Sequence, residues 1–296
     1  MKSAIYLLLL LHIFGIQTLG AQEKLQYNLK KGDIFRIEQS AVQNIVQEMD
    51  SIEHLMTNNL SGIFVMEVVN VIKDKYVLDV KFEKFKFKTE SNLYGVFSDV
   101  DTSIPPANEE DIEAKIFQGL IGPKFQMVLL KTGEIESLEG IENLVINMID
   151  QVEIEDDFSK AIIRESVAKE FNNEDMKESM QQFTYIYPET KVSVNQTWTN
   201  NYSGAVNAKN NWKLLSFSKN DIILGADSTI QMEIDEESII MKLAGTQQTE
   251  LTSNSDTGII KTMVVNQQTT GTTIVSEMND IVIPTSLTST ITYKLL

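Results

Sequence analysis

The sequence predicts an α+β fold that is mainly antiparallel β, with a curved sheet or half-barrel packed on three to four helices. Long segments near both ends of the chain alternate apolar and polar residues, which is typical of strands with one buried face. Two glycine-containing turns, at residues 131–133 and 254–258, each separate two such segments. Between residues 112 and 183 the apolar residues instead recur at helical spacing.

The strongest hairpin signal covers residues 242–272. Both of its arms are rich in Thr and Gln, and its turn at residues 254–258 contains Asn and Asp, which favour turn starts. Gly258 can adopt the positive φ that closes such a hairpin. A shorter copy of this pattern occupies residues 125–136 and turns at residues 131–133. We expect the other strands to lie beside these two hairpins.

Four strands are predicted in the first part of the chain, and the fourth changes its buried face part-way along. Up to Phe82 its apolar residues alternate with charged ones, whereas Phe85 and Phe87 follow in the opposite phase. A β-bulge near Glu83 and Lys84 would explain this shift, because one extra residue moves the following side chains to the other face. The four predicted strands are residues 26–29, 34–49, 55–72 and 76–87.

The middle of the chain predicts four helices whose apolar stripes face the core. Gly122 and Pro123 end the first helix, and Asn172 followed by acidic residues is typical of the N-cap and first turn of the fourth. We prefer core packing to ligand binding for all four stripes, because a surface helix must bury its apolar side. The stripes run over residues 112–120, 141–148, 158–171 and 176–183.

After Pro188 the chain returns to β-structure, and three landmarks of the first part recur in the same order. They are a turn before an aromatic residue, a strand pair joined at a Lys-containing turn, and a hairpin with Thr-Gly in its turn. This order favours a diverged duplication of two β-meanders, residues 22–138 and 192–296, with a helical segment at 139–187. The alternative is that unrelated hairpins resemble one another.

The first 21 residues predict a signal peptide. Lys2 provides the positive start, residues 5–14 are apolar but too few to span a bilayer, and small residues precede a cleavage site between Ala21 and Gln22. A retained anchor is the less favoured alternative. The chain contains no cysteine, which excludes disulfides and a lipoprotein signal. We therefore expect an exported protein, periplasmic or extracellular, with a single β-rich domain at residues 22–296.

The charge of the mature chain bounds its partners. After removal of Lys2 with the signal peptide, the chain contains 24 basic and 42 acidic residues, which gives a net charge of −18. Such a surface disfavours nucleic acid and anionic membranes. No later segment is apolar enough to be an integral membrane span. The remaining candidate partners are an apolar small molecule, a lipid or a protein of the cell envelope.

The sequence contains no pattern that indicates catalysis. His54 is the single histidine of the mature chain and has no nearby Cys or second His, which disfavours a zinc site or a Ser-His-Asp triad. Asn254 and Asp256 indicate a turn more than a calcium loop. Paired carboxylates of a hydrolase stay open as an alternative, because acidic residues are many. We predict no catalytic residue, no metal and no cofactor, and therefore not an enzyme.

Two non-catalytic functions fit these patterns. A binding or carrier module would hold an apolar ligand, lipid or peptide against the curved sheet. A structural or interaction protein of the cell envelope would present its Thr/Gln-rich strands to a partner or glycan. The predicted apolar lining of a carrier consists of Phe82, Phe85, Phe87, Leu224 and Met232.

Several short features together resemble a known group of proteins. With the signal ending at Ala21 and Gln22, the turn at residues 31–33 and the hairpin at 256–260, the chain resembles exported β-rich proteins of unknown function from Bacteroidota. That resemblance implies O-glycosylation at Ser51 and Ser228, each of which follows an Asp. A sheet around helices is also similar in outline to the lipoprotein carriers LolA and LolB, although fold alone does not fix function.

Overall fold

The computed structural model describes residues 22–296 except 50, 51, 107, 109, 154, 155 and 237. In this part of the chain twelve strands and four α-helices are present, with one short 3₁₀ helix at Ser276–Met278. The strands are β1 (Ile34–Met49), β2 (Ile52–Ile72), β3 (Lys75–Ser91), β4 (Gly95–Asp101), β5 (Lys124–Leu130), β6 (Ile135–Glu139), β7 (Thr197–Tyr202), β8 (Val206–Phe217), β9 (Asp221–Glu236), β10 (Ile239–Asn254), β11 (Ile260–Val275) and β12 (Ile281–Leu295). The helices are α1 (Ile112–Gln118), α2 (Ile141–Asp150), α3 (Asp157–Glu170) and α4 (Asn173–Thr184).

All twelve strands belong to one open sheet with the order β6-β5-β3-β2-β1-β12-β11-β10-β9-β8-β7, and β4 pairs with the far half of β3. Every pairing between these strands is antiparallel. The first and last strands, β1 and β12, join the two halves of the chain at the middle of the sheet. The predicted antiparallel sheet is confirmed, and it is not closed into a barrel because β6 and β7 remain unpaired with each other.

Helix α4 lies between the two edge strands of this open sheet, since it contacts both β6 and β7. On the β6 side the backbone N–H of Ile135 donates to Oε1 of Gln181 over 3.2 Å. On the β7 side Nε1 of Trp198 donates to the carbonyl oxygen of Ile186 over 3.0 Å, just after the helix ends. These contacts of α4 and of the segment that follows it cover part of both edges, which leaves less free backbone for edge-to-edge pairing.

The main hydrophobic core fills the end of the sheet where α4 lies. Strand residues such as Leu78, Met127 and Trp212 meet Met148 of α2 and Phe183 of α4, and all five are almost fully buried. Burial of side chains of this size contributes about 1.5–3 kcal/mol each. The core therefore draws on both halves of the chain and includes residues of α2 and α4.

Helix α3 departs from its prediction. Phe158 is 73% exposed and Ile162 is 52% exposed, so the expected inward stripe is wrong for these two residues. Only Val167 and Phe171, at the end of the stripe, pack against the core. The physical reason is that α3 contacts α2 rather than the sheet, and one neighbouring helix covers only part of its apolar side.

The two predicted hairpins are confirmed, and their turns hold the N-terminal segment between them. The backbone N–H of Tyr27 donates to the carbonyl oxygen of Lys131, and the N–H of Asn28 donates to that of Thr257, each over 2.9 Å. The prediction of a sheet strand at residues 26–29 is wrong, because its backbone groups pair with these turns instead of with a strand.

The sheet contains a β-bulge at the predicted position in β3. Two further bulges, in β2 and β8, occupy corresponding positions in the first and second halves of the chain. Ile63 pairs with Lys84 and Phe64 pairs with Phe82, so Glu83 is the extra residue, which confirms the predicted bulge. Val69 in β2 and Leu215 in β8 are likewise skipped in the pairing with the next strand.

The hydrogen bonds before these bulges also repeat. Gly32 donates its N–H to the carbonyl oxygen of Val68 over 2.8 Å, and Asn195 donates to that of Leu214 over 2.7 Å. Gly32 and Asn195 both have positive φ. These shared contacts support the duplication hypothesis, which stays a prediction.

Candidate functional site

A continuous row of uncharged polar side chains crosses the inner face of the sheet, the face that carries the core. Each member stands directly opposite the next in the strand pairing, and residues opposite each other in an antiparallel pair project to the same face. We call this the inner row. From β7 to β4 its members are Asn200, Asn210, Ser228, Gln247, Gln267, Ser289, Gln43, Asn58, Thr89 and Ser98.

The buried part of the inner row, on β7–β12, contains two hydrogen-bonded groups, Asn200–Asn210–Ser228 and Gln247–Gln267. Nδ2 of Asn210 donates to Oδ1 of Asn200 over 2.9 Å, and Oγ of Ser228 donates to Oδ1 of Asn210 over 2.6 Å. Farther along, Nε2 of Gln267 donates to Oε1 of Gln247 over 2.8 Å. These bonds offset the cost of burying amides on a face that is otherwise apolar.

On β1–β4 the inner row is only half-buried. Nδ2 of Asn58 donates to Oε1 of Gln43 over 2.8 Å, and Oγ1 of Thr89 donates to Oδ1 of Asn58 over 2.9 Å. Ser98 ends the row and donates to Oε1 of Glu113 on α1 over 2.8 Å. This stretch therefore offers hydrogen-bonding groups at a surface that solvent still reaches.

An apolar strip lies beside the half-buried part of the row, one side-chain position closer to the core. Ala41, Leu60 and Phe87 pair in register across β1, β2 and β3, and we call them the inner strip. All three are half-buried, and none belongs to a buried core cluster or packs against one. Toward the core the strip is bounded by Phe85, whose ring stacks on that of Phe117 with centroids 5.0 Å apart.

The structure does not gather the five predicted lining residues into one cavity. Phe82 and Leu224 are buried in the main core, and Phe85 packs against it. Met232 packs against a second, smaller cluster in the far half of the sheet. Phe87 alone of the five lies on the inner strip.

The interior between β7–β8 and β11–β12 is narrow. An enclosed cavity of ≈ 10 Å³ lies there, lined by polar groups of Gln182 and Gln247, by Tyr202 and Tyr293, and by four apolar side chains. Such a volume accommodates about one water molecule. The half-buried inner strip on β1–β3 is therefore a better candidate for ligand contact than this interior.

One buried hydroxyl on the inner face has no partner among the described residues. Thr269 is 2% exposed, and its Oγ1 makes no hydrogen bond there. It follows Gln267 of the inner row by two positions on β11 and stands opposite Gly245. An unpaired buried hydroxyl is uncommon in folded proteins, which usually satisfy such groups with protein or water.

Residues 73–260 match the model of a family described as a family of unknown function, DUF6263. The chain belongs to this family. No curated protein matches it. No helix in the described part of this DUF6263 chain combines the length and apolar character required to cross a bilayer.

Two solved structures match this chain to very different degrees. One was reported under the words "Lipid-protein interactions in lipovitellin"; it has a TM-score of 0.52 and 8% identity, and the match covers 91% of this chain. The chain spans about a quarter of that protein, 25% of its length. The other is an outer membrane channel from Pseudomonas putida F1, with a TM-score of 0.26, 7% identity, and coverage of 91% and 97% of the two chains. The first likeness shows the fold alone, and the second is too weak to carry an argument.

His54 lies on the inner face in a polar contact. Nε2 of His54 is 2.9 Å from Oγ of Ser91, and that oxygen also accepts the backbone N–H groups of Leu93 and Tyr94 over 3.1 and 3.2 Å. The hydroxyl of Ser91 thus connects the imidazole to two backbone N–H groups of the β3–β4 turn. This arrangement fixes the β3–β4 hairpin. In the part of the chain that the structure covers, no three His, Cys, Asp or Glu side chains form a group that could hold a metal ion.

Of the residues predicted to be glycosylated or to flank the cleavage site, the structure describes Ser228 and Gln22. Ser228 is 5% exposed and belongs to the inner row, where its hydroxyl donates to Asn210. Ser51 and Ala21 lie outside the described residues, and Gln22 is the first described one. Glycosylation and cleavage therefore stay predictions.

The outer face carries two adjoining shallow concavities across β7–β10. Their volumes are ≈ 440 and ≈ 530 Å³, and both are lined by Lys209 and Thr229. The exposed side chains around them are mostly Asn, Thr and Gln, with Asp227 as the acid. The Thr/Gln-rich strands thus present a polar, hydrogen-bonding surface. No sequence signal indicated the concavities, because they arise from the twist of neighbouring strands.

Proposed function

We propose that this protein is a non-catalytic binding or carrier module of the cell envelope that holds an apolar ligand, a lipid or an apolar peptide, on the inner face of its sheet. The observation that carries the proposal is the inner strip of Ala41, Leu60 and Phe87. These side chains are half-buried, and they pack against neither of the two core clusters nearby. The strip lies on the face that elsewhere forms the core, beside polar groups that can orient a ligand.

The strip is suited to reversible binding. Covering the strip would remove at most roughly 200 Å² of apolar surface from water, which contributes no more than about 5 kcal/mol before the costs of association. That magnitude corresponds to a dissociation constant in the upper micromolar range or weaker. A carrier needs this kind of affinity, because it must both load and release its ligand.

Two further points support the proposal. The fold is shared with a structure of lipovitellin described in terms of lipid–protein interactions. The predicted signal peptide would direct the mature chain to the periplasm or out of the cell. The expected similarity in outline to LolA and LolB is compatible with an apolar cargo there. The proposal needs no cofactor, metal or catalytic residue.

The test uses the mature chain, residues 22–296, and a fluorescent long-chain fatty acid, together with native mass spectrometry of the gently extracted protein. Replacing Leu60→Ser should weaken binding about fivefold, because part of the buried contact area is lost. Val42→Ser is the matched control, since Val42 is 44% exposed on the neighbouring strand and projects to the outer face. If the wild type shows no bound lipid in the mass spectra and does not bind the fluorescent probe, the proposal is contradicted.

A second function is favoured by the outer concavities. A structural or interaction protein would use their polar floor to contact an envelope partner or glycan. A photoreactive residue at Thr229, which is exposed there, should then crosslink one specific neighbour in intact cells, whereas the same residue at the exposed Glu165 on α3 should not. Equal, unspecific crosslinking from both positions would argue against this function.

A further inference from the structure

We propose that the inner row selects the ligand, so that the protein prefers an uncharged amphiphile whose polar group bonds to the row and whose chain lies on the inner strip. This inference rests on the proposed function and names its ligand class. It differs from general apolar binding because it requires hydrogen-bonding groups in the ligand.

The geometry places the two chemistries side by side on three strands. Asn58 and Leu60 are two positions apart on β2, and Thr89 and Phe87 are two positions apart on β3. Two strand residues span about 6.6 Å, roughly the distance from a lipid's polar group to its first few methylenes. A ligand lying along the strands therefore meets a polar group and an apolar surface in succession.

The half-buried part of the row keeps hydrogen-bonding capacity in reserve. Gln43 uses its Oε1 to accept from Asn58, and Asn58 uses its Oδ1 to accept from Thr89. Each amide nitrogen carries two N–H donors, and of the two bonds in this chain only the one from Asn58 to Gln43 uses such a donor. A purely hydrocarbon ligand would displace the water that hydrates these donors without offering a hydrogen-bond acceptor, which is unfavourable. A ligand with hydroxyl or carbonyl oxygens would replace the water.

Thr269 provides an independent observation on the same face. Its hydroxyl is 2% exposed and has no partner among the described residues, although it follows Gln267 of the inner row by two positions. A buried hydroxyl without a partner is a group that a ligand oxygen or a water molecule would satisfy. Unused hydrogen-bonding capacity on the inner face is therefore also present on β11, outside the half-buried part of the row on β1–β4.

The charges around the row favour an uncharged headgroup over an anionic one. The row itself contains only Asn, Gln, Ser and Thr, and its β4 end meets the carboxylate of Glu113. The whole chain has a formal net charge of −17. A carboxylate or phosphate headgroup would meet repulsion here and find no cationic side chain within the row. An ester or a hydroxyl group meets no such penalty.

The experiment compares three ligands with the same chain length: 1-monooleoylglycerol, oleate and 1-octadecene, each displacing the fluorescent fatty acid from the mature chain. The wild type should bind monooleoylglycerol about tenfold more tightly than octadecene, the effect of one or two hydrogen bonds. It should also prefer monooleoylglycerol to oleate. Asn58→Leu should remove most of the preference over octadecene. Asn59→Leu should keep it, because Asn59 is the next residue on β2 and faces the other side.

A second variant guards against a folding defect in Asn58→Leu. Thr89→Val keeps the shape of the side chain and removes only the hydroxyl that bonds to Asn58. It should lower the preference for monooleoylglycerol while circular dichroism and the thermal midpoint stay close to the wild type. Equal binding of monooleoylglycerol and octadecene by the wild type would overturn the inference and leave the proposed function standing. Binding of none of the three ligands would overturn both.

Discussion

A Cβ atom added to Gly258 would lie 2.4 Å from the carbonyl oxygen of Gln26, because the N-terminal segment crosses the β10–β11 turn in direct contact with its backbone. Gly133, in the turn of the shorter hairpin, is equally confined, since a Cβ atom there would lie 1.7 Å from the carbonyl oxygen of Thr184. The two turns thus enclose the N-terminal segment. Glycine is required at each for its positive φ and for its lack of a side chain.

The first prediction separates these two requirements. Gly258→Ala should destabilise the protein by about 3 kcal/mol or more, because a positive φ and a backbone clash add together. Gly95→Ala is the control, since Gly95 has a φ of +81° against +74° for Gly258 but no atom within 4 Å of the added Cβ. It should cost only about 1–2 kcal/mol. Urea unfolding of both variants measures the difference, and equal losses would show that the contact with Gln26 is unimportant.

The second prediction concerns alkaline pH. Burial raises the pKa of Tyr27, Tyr187, Tyr202 and Tyr293 well above the ordinary tyrosine value. Above pH about 10 the unfolded chain loses these protons while the folded one keeps them, so the unfolded state binds fewer protons. The stability that the neutral tyrosines provide is therefore complete below pH about 10 and is lost as the pH rises further.

Each buried tyrosine should contribute a slope of about 1.4 kcal/mol per pH unit in that range. Urea unfolding between neutral and strongly alkaline pH measures the total. Tyr293→Phe should reduce the slope by one such increment, because its hydroxyl accepts a weak 3.5 Å hydrogen bond from Nε2 of Gln39 and the substitution removes little else. An unchanged slope in this variant would contradict burial as the cause.

The third prediction follows from the unpaired hydroxyl. Thr269→Val should stabilise the ligand-free protein by about 1 kcal/mol, because the variant buries a methyl group in place of an unsatisfied Oγ1. Thr273→Val is the control, since the buried hydroxyl of Thr273 lies 2.8 Å from that of Thr285 and its loss should destabilise. Differential scanning calorimetry gives both values. A lower midpoint for Thr269→Val would mean that this hydroxyl has a bound water or another partner.

Local patterns predicted the elements of this fold well. The hairpin at residues 254–258, the bulge at Glu83 and the N-cap at Asn172 all follow from a few neighbouring residues, and all are present. The pairing of β1 with β12 and the position of α4 between the sheet edges could not be predicted in this way. They depend on contacts between distant parts of the chain, which leave no periodic signal within either part.

The inner row was missed for a related reason. A sheet with one apolar face was predicted, and the row shows that this face is interrupted by polar residues. Each strand does contain a signal, because the apolar alternation is broken at Ser228 and at Ser289. A single break resembles an ordinary polar substitution. Only the register, which places Ser228 opposite Gln247 and Gln267 opposite Ser289, aligns the breaks into a row.

The last prediction tests how the inner row is anchored at the sheet edge. Oδ1 of Asn200 on β7 accepts hydrogen bonds from Nδ2 of Asn210 over 2.9 Å and from Nε1 of Trp212 over 3.0 Å, while its Nδ2 donates to the carbonyl oxygen of Tyr185. One side chain thus joins the row to the segment that follows α4. Asn200→Leu would leave two buried donors unsatisfied, whereas the carbonyl oxygen of Tyr185 would still accept from the hydroxyl of Tyr202 over 3.0 Å.

Because each unsatisfied buried group costs about 1–3 kcal/mol, Asn200→Leu should lower the free energy of unfolding by about 3 kcal/mol or more. Asn201→Leu is the matched control, because the next residue of β7 is exposed on the outer face and should change stability by no more than about 0.5 kcal/mol. Hydrogen exchange adds a local readout. In Asn200→Leu the amides of β7 should lose protection before those of β11, since β7 is an edge strand tied to residues 185–186 by such side-chain bonds. Uniform loss of protection across the sheet would instead show that Asn200 supports the whole core rather than the closure between β7 and α4.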